Sequence, residues 1–368
     1  MVKLKEFFKT NIIVTIASLA ALITMFFVPP DGAYINYFDL KTLTCLFCTL
    51  AVVNALKNIH FFQFTAERIV SVFKNTRSAI IALVYITFIG SMVMANDMAL
   101  ITFLPLGYFV LDRTRHKELM IFTFIMQNIA ANLGGMLTPF GNPQNLYMYS
   151  YFNIPTTEFI RIMLIPFLIS VVMITLCCVF VKKEPLTLEN NKEYYIDKKK
   201  LVIYILLFVL SIAIVFRTVP YYIGLVIVAA GVAFFDRDAL KNVDYALLLT
   251  FCAFFVFSGN MARIPAVNSF LSGLVNKNPL IVGVVSCQVI SNVPSAVLLS
   301  KFTTNYAPLL VAVNIGGAGT LIASLASLIT FRKFTSYQPD KTGMYIKYFS
   351  IYNFSMLLIL VVVNSFIL

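Results

Sequence analysis

Tryptophan is absent from all 368 residues, histidine occurs only twice, and charged side chains fill 12% of positions. Each shortage excludes something. Sparse charge, with 60% hydrophobic residues and a mean hydropathy of +0.88, excludes an ordinary soluble globule. His60 and His116 sit at ends of apolar runs and read as structural. The six cysteines (45, 48, 177, 178, 252 and 287) all lie inside apolar runs. Cys45 and Cys48 have the spacing of a metal pair, but no second Cys or His pair accompanies them, so they read as small hydrophobes. No nucleotide-binding loop, nucleophile elbow or metalloprotease signature occurs, which argues against an ATP-driven pump and against an enzyme. Without tryptophan, the 18 tyrosines must supply any interfacial belt.

What the chain does have is long apolar runs, each near the roughly 20 residues that span a bilayer. The sequence predicts an all-α polytopic membrane protein of about nine spans plus two re-entrant hairpins. The net charge of +12 belongs to loop lysines and arginines, the positive-inside pattern, and implies membrane lipid rather than nucleic acid as partner. A basic N-terminus (Lys3, Lys5, Lys9) is expected on the cytoplasmic side of the cell's inner membrane. The run 11–29 behind it ends in Val28-Pro29-Pro30 with no small-residue cleavage site, so it reads as a retained first helix.

Residues 78–111 are apolar but for Asn96-Asp97, and basic loops flank them on both sides. A re-entrant hairpin turning at Asn96-Asp97 satisfies both facts; a single long kinked span is the alternative. A second hairpin is expected over 279–304, turning at Ser291-Asn292. Two further stretches match in register: Asn132-Leu-Gly134-Gly135 with Thr138, Asn142 and Asn145, and Asn314-Ile-Gly316-Gly317 with Thr320, Ser324 and Ser327. Glycine and asparagine break helices, and freed backbone groups survive in hydrocarbon only where they line a cavity or bind something. A matched pair of broken segments, one per half, points to a substrate site. The expected organisation is a first repeat over 1–181 (hairpin 78–111, broken helix 118–152), a cytoplasmic linker over 182–200, and a second, inverted repeat over 201–368 (hairpin 279–304, broken helix 306–331).

Fifteen of the 16 acidic residues fall in loops, in the linker or near span ends; only Asp97 lies deep between apolar arms. Such a carboxylate usually marks an ion or proton pathway, although it could also cap the helix behind it. The residues expected to bind substrate are Thr138, Asn142, Asn145, Asn292, Ser295, Thr320 and Ser324. Those expected to couple an ion are Asn96, Asp97, Asn132, Gly134, Asn314 and Gly316, with a sodium ion near Asn96, Asp97 and Asn132. Asn142-Pro143 reads as an N-cap with its first-turn proline. Gly134-Gly135 and Gly316-Gly317 could equally serve close helix packing. Arg263, after an expected break at Ser258-Gly259-Asn260, reads as a snorkelling end residue or an anion contact.

These motifs (Ala95-Asn96-Asp97, the Asn132–Asn145 stretch, Ser291-Asn292-Val293-Pro294-Ser295 and Asn314–Thr320) resemble the ion transporter superfamily: citrate and dicarboxylate permeases, arsenite permeases and sodium/proton antiporters. The resemblance covers roughly residues 11–368. It implies two inverted repeats, a homodimer, and an elevator-like secondary transporter that couples a small anion to Na⁺ or H⁺ and needs no cofactor. Sodium-coupled dicarboxylate members carry Ser-Asn-Thr at both tips, which this chain lacks; its Asn-Asp tip is closer to the arsenite and sodium/proton branches. A channel would need a continuous polar path, whereas two opposed tips could close a site from either side.

The hairpin reading places Arg113, Arg115 and Lys117 on the cytoplasmic face, and Asn268 and Lys277 outside. Single cysteines in a background lacking the six native ones should label accordingly; external labelling at position 115 would refute the first hairpin.

Overall fold

The structure, a computed structural model, describes residues 12–70, 73–185 and 197–367. The lysines at 3, 5 and 9 and positions 186–196 of the expected linker lie outside the described residues. Among the described residues the fold is helical, with no strand beyond an isolated bridge between Asn75 and Pro185. Helices α1 (Ile12–Phe27), α2 (Leu40–Asn58) and α3 (Phe61–Val70) precede a hairpin of α4 (Thr76–Val93) and α5 (Asn96–Arg113). Helix α6 (Met120–Gly134), a 3-10 turn over Gly135–Leu137 and α7 (Pro143–Tyr151) make the first broken segment; α8 (Thr156–Val179) follows. Next come α9 (Lys198–Val215), α10 (Tyr221–Phe235), α11 (Arg237–Lys241) and α12 (Tyr245–Arg263). Helix α13 (Pro265–Lys277) bends by 118° into α14 (Pro279–Ile290), which pairs with α15 (Asn292–Leu299). The second break lies between α16 (Tyr306–Ile315) and α17 (Leu325–Tyr337), and α18 (Thr342–Ile367) follows.

By length and composition six of these helices can cross a membrane, or seven if the bent α13–α14 pair is one span. That is fewer than the nine expected, because several expected spans are short or interrupted: α1, α10 and α16 are apolar but brief. Burial follows the solvent such a protein meets. On α8, Ile160, Leu164, Leu168, Val172 and Leu176 recur every four residues and all stay exposed, one apolar stripe facing outward. Inside lie Asn96, Gln127, Asn128, Asn132, Asn142, Gln144, Asn145, Asn292 and Asn314, each under 5% exposed.

The expected break at Ser258-Gly259-Asn260 is not there. Helix α12 runs through it, and Asn260 instead uses its side chain, donating to Thr24 Oγ1 (3.1 Å) and Tyr34 Oη (2.9 Å) on the α1 side. Arg263 donates to both oxygens of Asp31 (3.0 and 2.6 Å), a clasp that holds the Asp31 carboxyl below its usual range. Helix α13 has no counterpart among the expected elements, and α18 starts at Thr342.

The packing of the two halves is reciprocal. Helix α5, behind the first tip, packs on α17; α15, behind the second tip, packs on α7. Helix α6 packs on α17 and α16 on α7. Side chains tie the same pairs: Asn128 Nδ2 donates to Ser327 Oγ (3.3 Å), and Asn314 Nδ2 to Asn145 Oδ1 (2.5 Å). Each broken segment also holds its own hairpin. Thr138 Oγ1 donates to Met92 O (2.9 Å) and Thr320 Oγ1 to Gln288 O (3.1 Å), in both cases the carbonyl four residues before the tip asparagine.

The glycine pairs divide their work. A Cβ at Gly134 would sit 2.6 Å from Ser91 Oγ, and one at Gly316 2.9 Å from Cys287 Sγ, so the first glycine of each pair lets a helix lie against a hairpin arm. The freed backbone is paired by one amide per half. Asn145 Nδ2 lies 3.2 Å from each of Gly135 O, Met136 O and Thr138 O. Gln288 Nε2 donates to Gly316 O (2.8 Å) and Ala318 O (3.2 Å), while Gln288 Oε1 accepts from Thr320 N (2.8 Å). Gly319, at φ +125°, adopts a conformation that L side chains rarely take and lies against that same amide.

Replacing Gln288 by Ala strands these backbone groups, at about 1–3 kcal/mol for each that finds no other partner. Thermal unfolding of purified Gln288→Ala should shift down by on the order of 5 °C or more; an unchanged transition would show that the break does not depend on this amide.

Candidate functional site

Both hairpins turn by the same device. Asn96 Oδ1 accepts the next backbone N–H, from Asp97 at 3.0 Å, and Asn292 Oδ1 accepts from Val293 N at 2.9 Å. Each amide nitrogen is left free to reach outward. Asn96 Nδ2 donates to Asn132 Oδ1 at 3.2 Å. The second tip is pinned to its own break, with Asn292 N donating to Ala323 O at 2.9 Å. Ser291 at that tip sits at φ 74°, ψ 159°, a conformation that costs a non-glycine residue roughly 1–3 kcal/mol.

The tips and breaks converge on Gly317. A Cβ there would lie 3.1 Å from Asn292 Nδ2 and 3.5 Å from Asn132 Oδ1. Asn142 Nδ2 reaches Asn132 O (3.3 Å) and Asn314 Oδ1 (3.5 Å), and Gln144 Nε2 reaches the same Asn314 oxygen (3.4 Å). Residues from 96 to 317, from both halves, thus meet in one buried polar centre. Asn142 stands at the N-cap position of α7, yet makes no capping bond. Position and first-turn proline are as expected, but the side chain serves the centre instead of capping; Ser324 does cap α17, accepting from Ser327 N at 3.1 Å.

Four buried polar atoms of this region have no partner among the described residues: Asp97 Oδ1, Asn132 Nδ2, Asn142 Oδ1 and Gln144 Oε1. Three are oxygen acceptors, one of them a carboxylate, and one is an amide donor. Hard oxygens suit a small cation; amide N–H groups suit an anion's oxygens. No lysine or arginine takes part in the centre's hydrogen bonds among the described residues.

The remaining expected site residues lie one layer back. Thr138 and Thr320 hold the hairpin arms, and both polar ends of Asn145 are occupied. Ser295 Oγ donates to Ser291 O at 2.7 Å, inside the second hairpin. Gln288, Gln144 and Asn128 escaped the sequence reading. Gln288 carried a signal: it is a lone amide in an apolar hairpin arm, one helical turn before Asn292. Elsewhere His116, Glu118 and Glu184 bring ligand-type atoms within 4.8 Å of one another, with His116 Nε2 3.2 Å from Glu184 Oε2.

The profile described as "Citrate transporter" matches residues 7–312. An uncharacterized transporter of Methanocaldococcus jannaschii is 35% identical over 297 residues, 79% of this chain and 80% of that protein. An inner membrane protein of Escherichia coli is 29% identical over 317 residues, 83% of each chain. A silicon efflux transporter of Oryza sativa subsp. japonica is 30% identical over 133 residues, 35% of this chain and 27% of its own length. With its polar centre enclosed by a multi-pass apolar helical body, the chain belongs to the citrate transporter family.

Proposed function

We propose that the chain is an ion-coupled secondary transporter of a small anion such as a di- or tricarboxylate, working by elevator-like alternating access. The carrying observation is the meeting of tips and breaks from both halves around polar atoms that the protein itself leaves unpartnered. A folded protein keeps such buried atoms at a cost, and they persist where something else is bound. The reciprocal packing of α5 on α17 and of α15 on α7 supports an inverted repeat, with repeats at 1–181 and 201–368. The centre's hydrogen bonds come from neutral amides, with Asp97 the next residue after Asn96, so a multivalent anion would need bound cations beside it. Asp97, with its free oxygen, suits a sodium ion near Asn96 and Asn132, or a proton. A cytoplasmic N-terminus, an inner-membrane location and a homodimer complete the reading; the first rests on loop charge and the others on family resemblance.

A second reading is efflux of a weak oxyacid or cation/proton exchange. It is favoured by the Asn96-Asp97 tip, which replaces the Ser-Asn-Thr of the sodium-coupled dicarboxylate members, and by the similarity to a silicon efflux transporter.

A thermal-shift screen of carboxylates, oxyanions and cations identifies the cargo, since ligands stabilise the state they bind. Uptake of that cargo by proteoliposomes should fall about tenfold or more in Asp97→Asn, a loss of at least ~1.4 kcal/mol of transition-state stabilisation, while the unfolding temperature holds. Uptake equal to wild type would sink the coupling role. A milder loss with a displaced pH optimum assigns the coupling to protons.

A further inference from the structure

The two half-helices that begin at the polar centre also end together. Helix α7 runs nine residues and α15 eight, they pack on each other, and the hydroxyl of Tyr147, midway along α7, lies 2.8 Å from that of Ser300 at the end of α15. At about 1.5 Å per residue those ends lie some 12–13 Å from the centre. Three cations lie along these ends, Lys301 near Asp39, and Lys41 near both Asp39 and Arg217. Lys301 Nζ stands 4.4 Å from the Tyr151 ring centroid, and the Arg217 guanidinium 4.4 Å from that of Tyr149. Arg217 Nη2 also donates to Tyr149 O at 2.7 Å. Lys41, in the first turn of α2, lies within Coulombic range of Arg217 and Asp39, and Asp39 within range of Lys301, Tyr147 and Tyr151.

The charges do not balance. Among the described residues Asp39 is the one carboxylate that reaches these groups, and both its oxygens already accept from Thr42, at 3.1 Å from N and 2.6 Å from Oγ1. Among the described residues neither the Lys41 nor the Lys301 ammonium makes an ion pair or hydrogen bond, and Arg217 Nε is buried without a partner. All three side chains are half-buried. Half-buried cations without counter-charge destabilise a fold and are retained where an anion completes them. The negative ends of α7 and α15 account for part of this charge, but one dipole end carries only about half a unit.

We propose that Lys41, Arg217 and Lys301 form an anion vestibule: a peripheral site for a carboxylate- or phosphate-bearing group at the far end of the two half-helices that lead to the polar centre. It rests on the anion-transport reading and adds a way station to it. Two ammoniums and a guanidinium provide donors for an oxyanion, and their net positive field raises the local anion concentration. A free solute and a lipid headgroup offer the same oxygens.

A cysteine placed at Thr304, exposed and three positions beyond Lys301, reports the local potential in a background lacking the native cysteines. An anionic methanethiosulfonate should react about tenfold faster than a cationic one of equal size. The rates should become equal in K41Q/K301Q and stay unequal in K41R/K301R, with unfolding temperatures unchanged. In neutral phosphatidylcholine, millimolar citrate should slow the anionic reagent if free solute occupies the vestibule. Slowing by added phosphatidylglycerol alone assigns the occupant to a lipid headgroup. Equal rates in the parent, rates unmoved by K41Q/K301Q, or rates moved by neither citrate nor phosphatidylglycerol would overturn the proposal. The readout needs no transport, so failure of the transport reading is seen separately, as absent uptake.

Discussion

A helix that breaks inside an apolar body leaves backbone N–H and C=O groups with no water to turn to. The arrangement of the centre follows from how those groups are paired. In the first half Asn145 takes three carbonyls of the break; in the second Gln288 takes two carbonyls and returns one acceptor to Thr320 N. Once those two amides are committed, the breaks become rigid enough to hold Thr138 and Thr320 against the hairpin arms. The arms in turn set the tips. Asn96 and Asn292 fold their oxygens back onto their own helices and turn their nitrogens to the break of their own half, toward Asn132 and Gly317. Behind the unpartnered atoms at the centre, Thr138, Asn145, Gln288, Ser295 and Thr320 are each hydrogen-bonded.

Much of this was legible in the sequence because glycine and asparagine have few other reasons to repeat in apolar runs. The paired Asn-x-Gly-Gly stretches located both breaks, and Asn96-Asp97 and Ser291-Asn292 located both tips. Roles within the motifs were harder to read. Asn142 carries the sequence mark of a cap, yet its amide reaches Asn132 O and Asn314 Oδ1 instead of the first turn of α7, a choice set by the second half of the chain. Asn145, expected to bind substrate, has its amide paired with local carbonyls and Asn314 in this structure. Polarity is written in the sequence; which neighbour satisfies it depends on long-range packing. Gln288 bonds Gly316, 28 positions away, and Asn128 bonds Ser327 and Thr330, 199 and 202 positions away, beyond the reach of local spacing.

The same limit explains Asn260. Its Ser-Gly-Asn context imitates a helix break, but the nearby Tyr34, Tyr37 and Thr24 pair its side chain and leave the helix intact. Gly259 is there for the Tyr37 ring, against which any Cβ would lie at 2.5 Å. A glycine-asparagine step therefore marks a break only when no partner helix offers it an alternative, and in this fold the breaks occur where two halves must meet.

The central claim is that this meeting place holds the cargo. An experimental structure in lipid nanodiscs, solved at saturating citrate and sodium, tests it most directly. The account predicts density for the anion bounded by Asn132, Asn142 and Asn292, with Asp97 turned toward a bound cation or proton-bearing neighbour. Asn142 and Asn292 separated by a packed apolar layer, or citrate bound only elsewhere with these side chains unmoved, would contradict it.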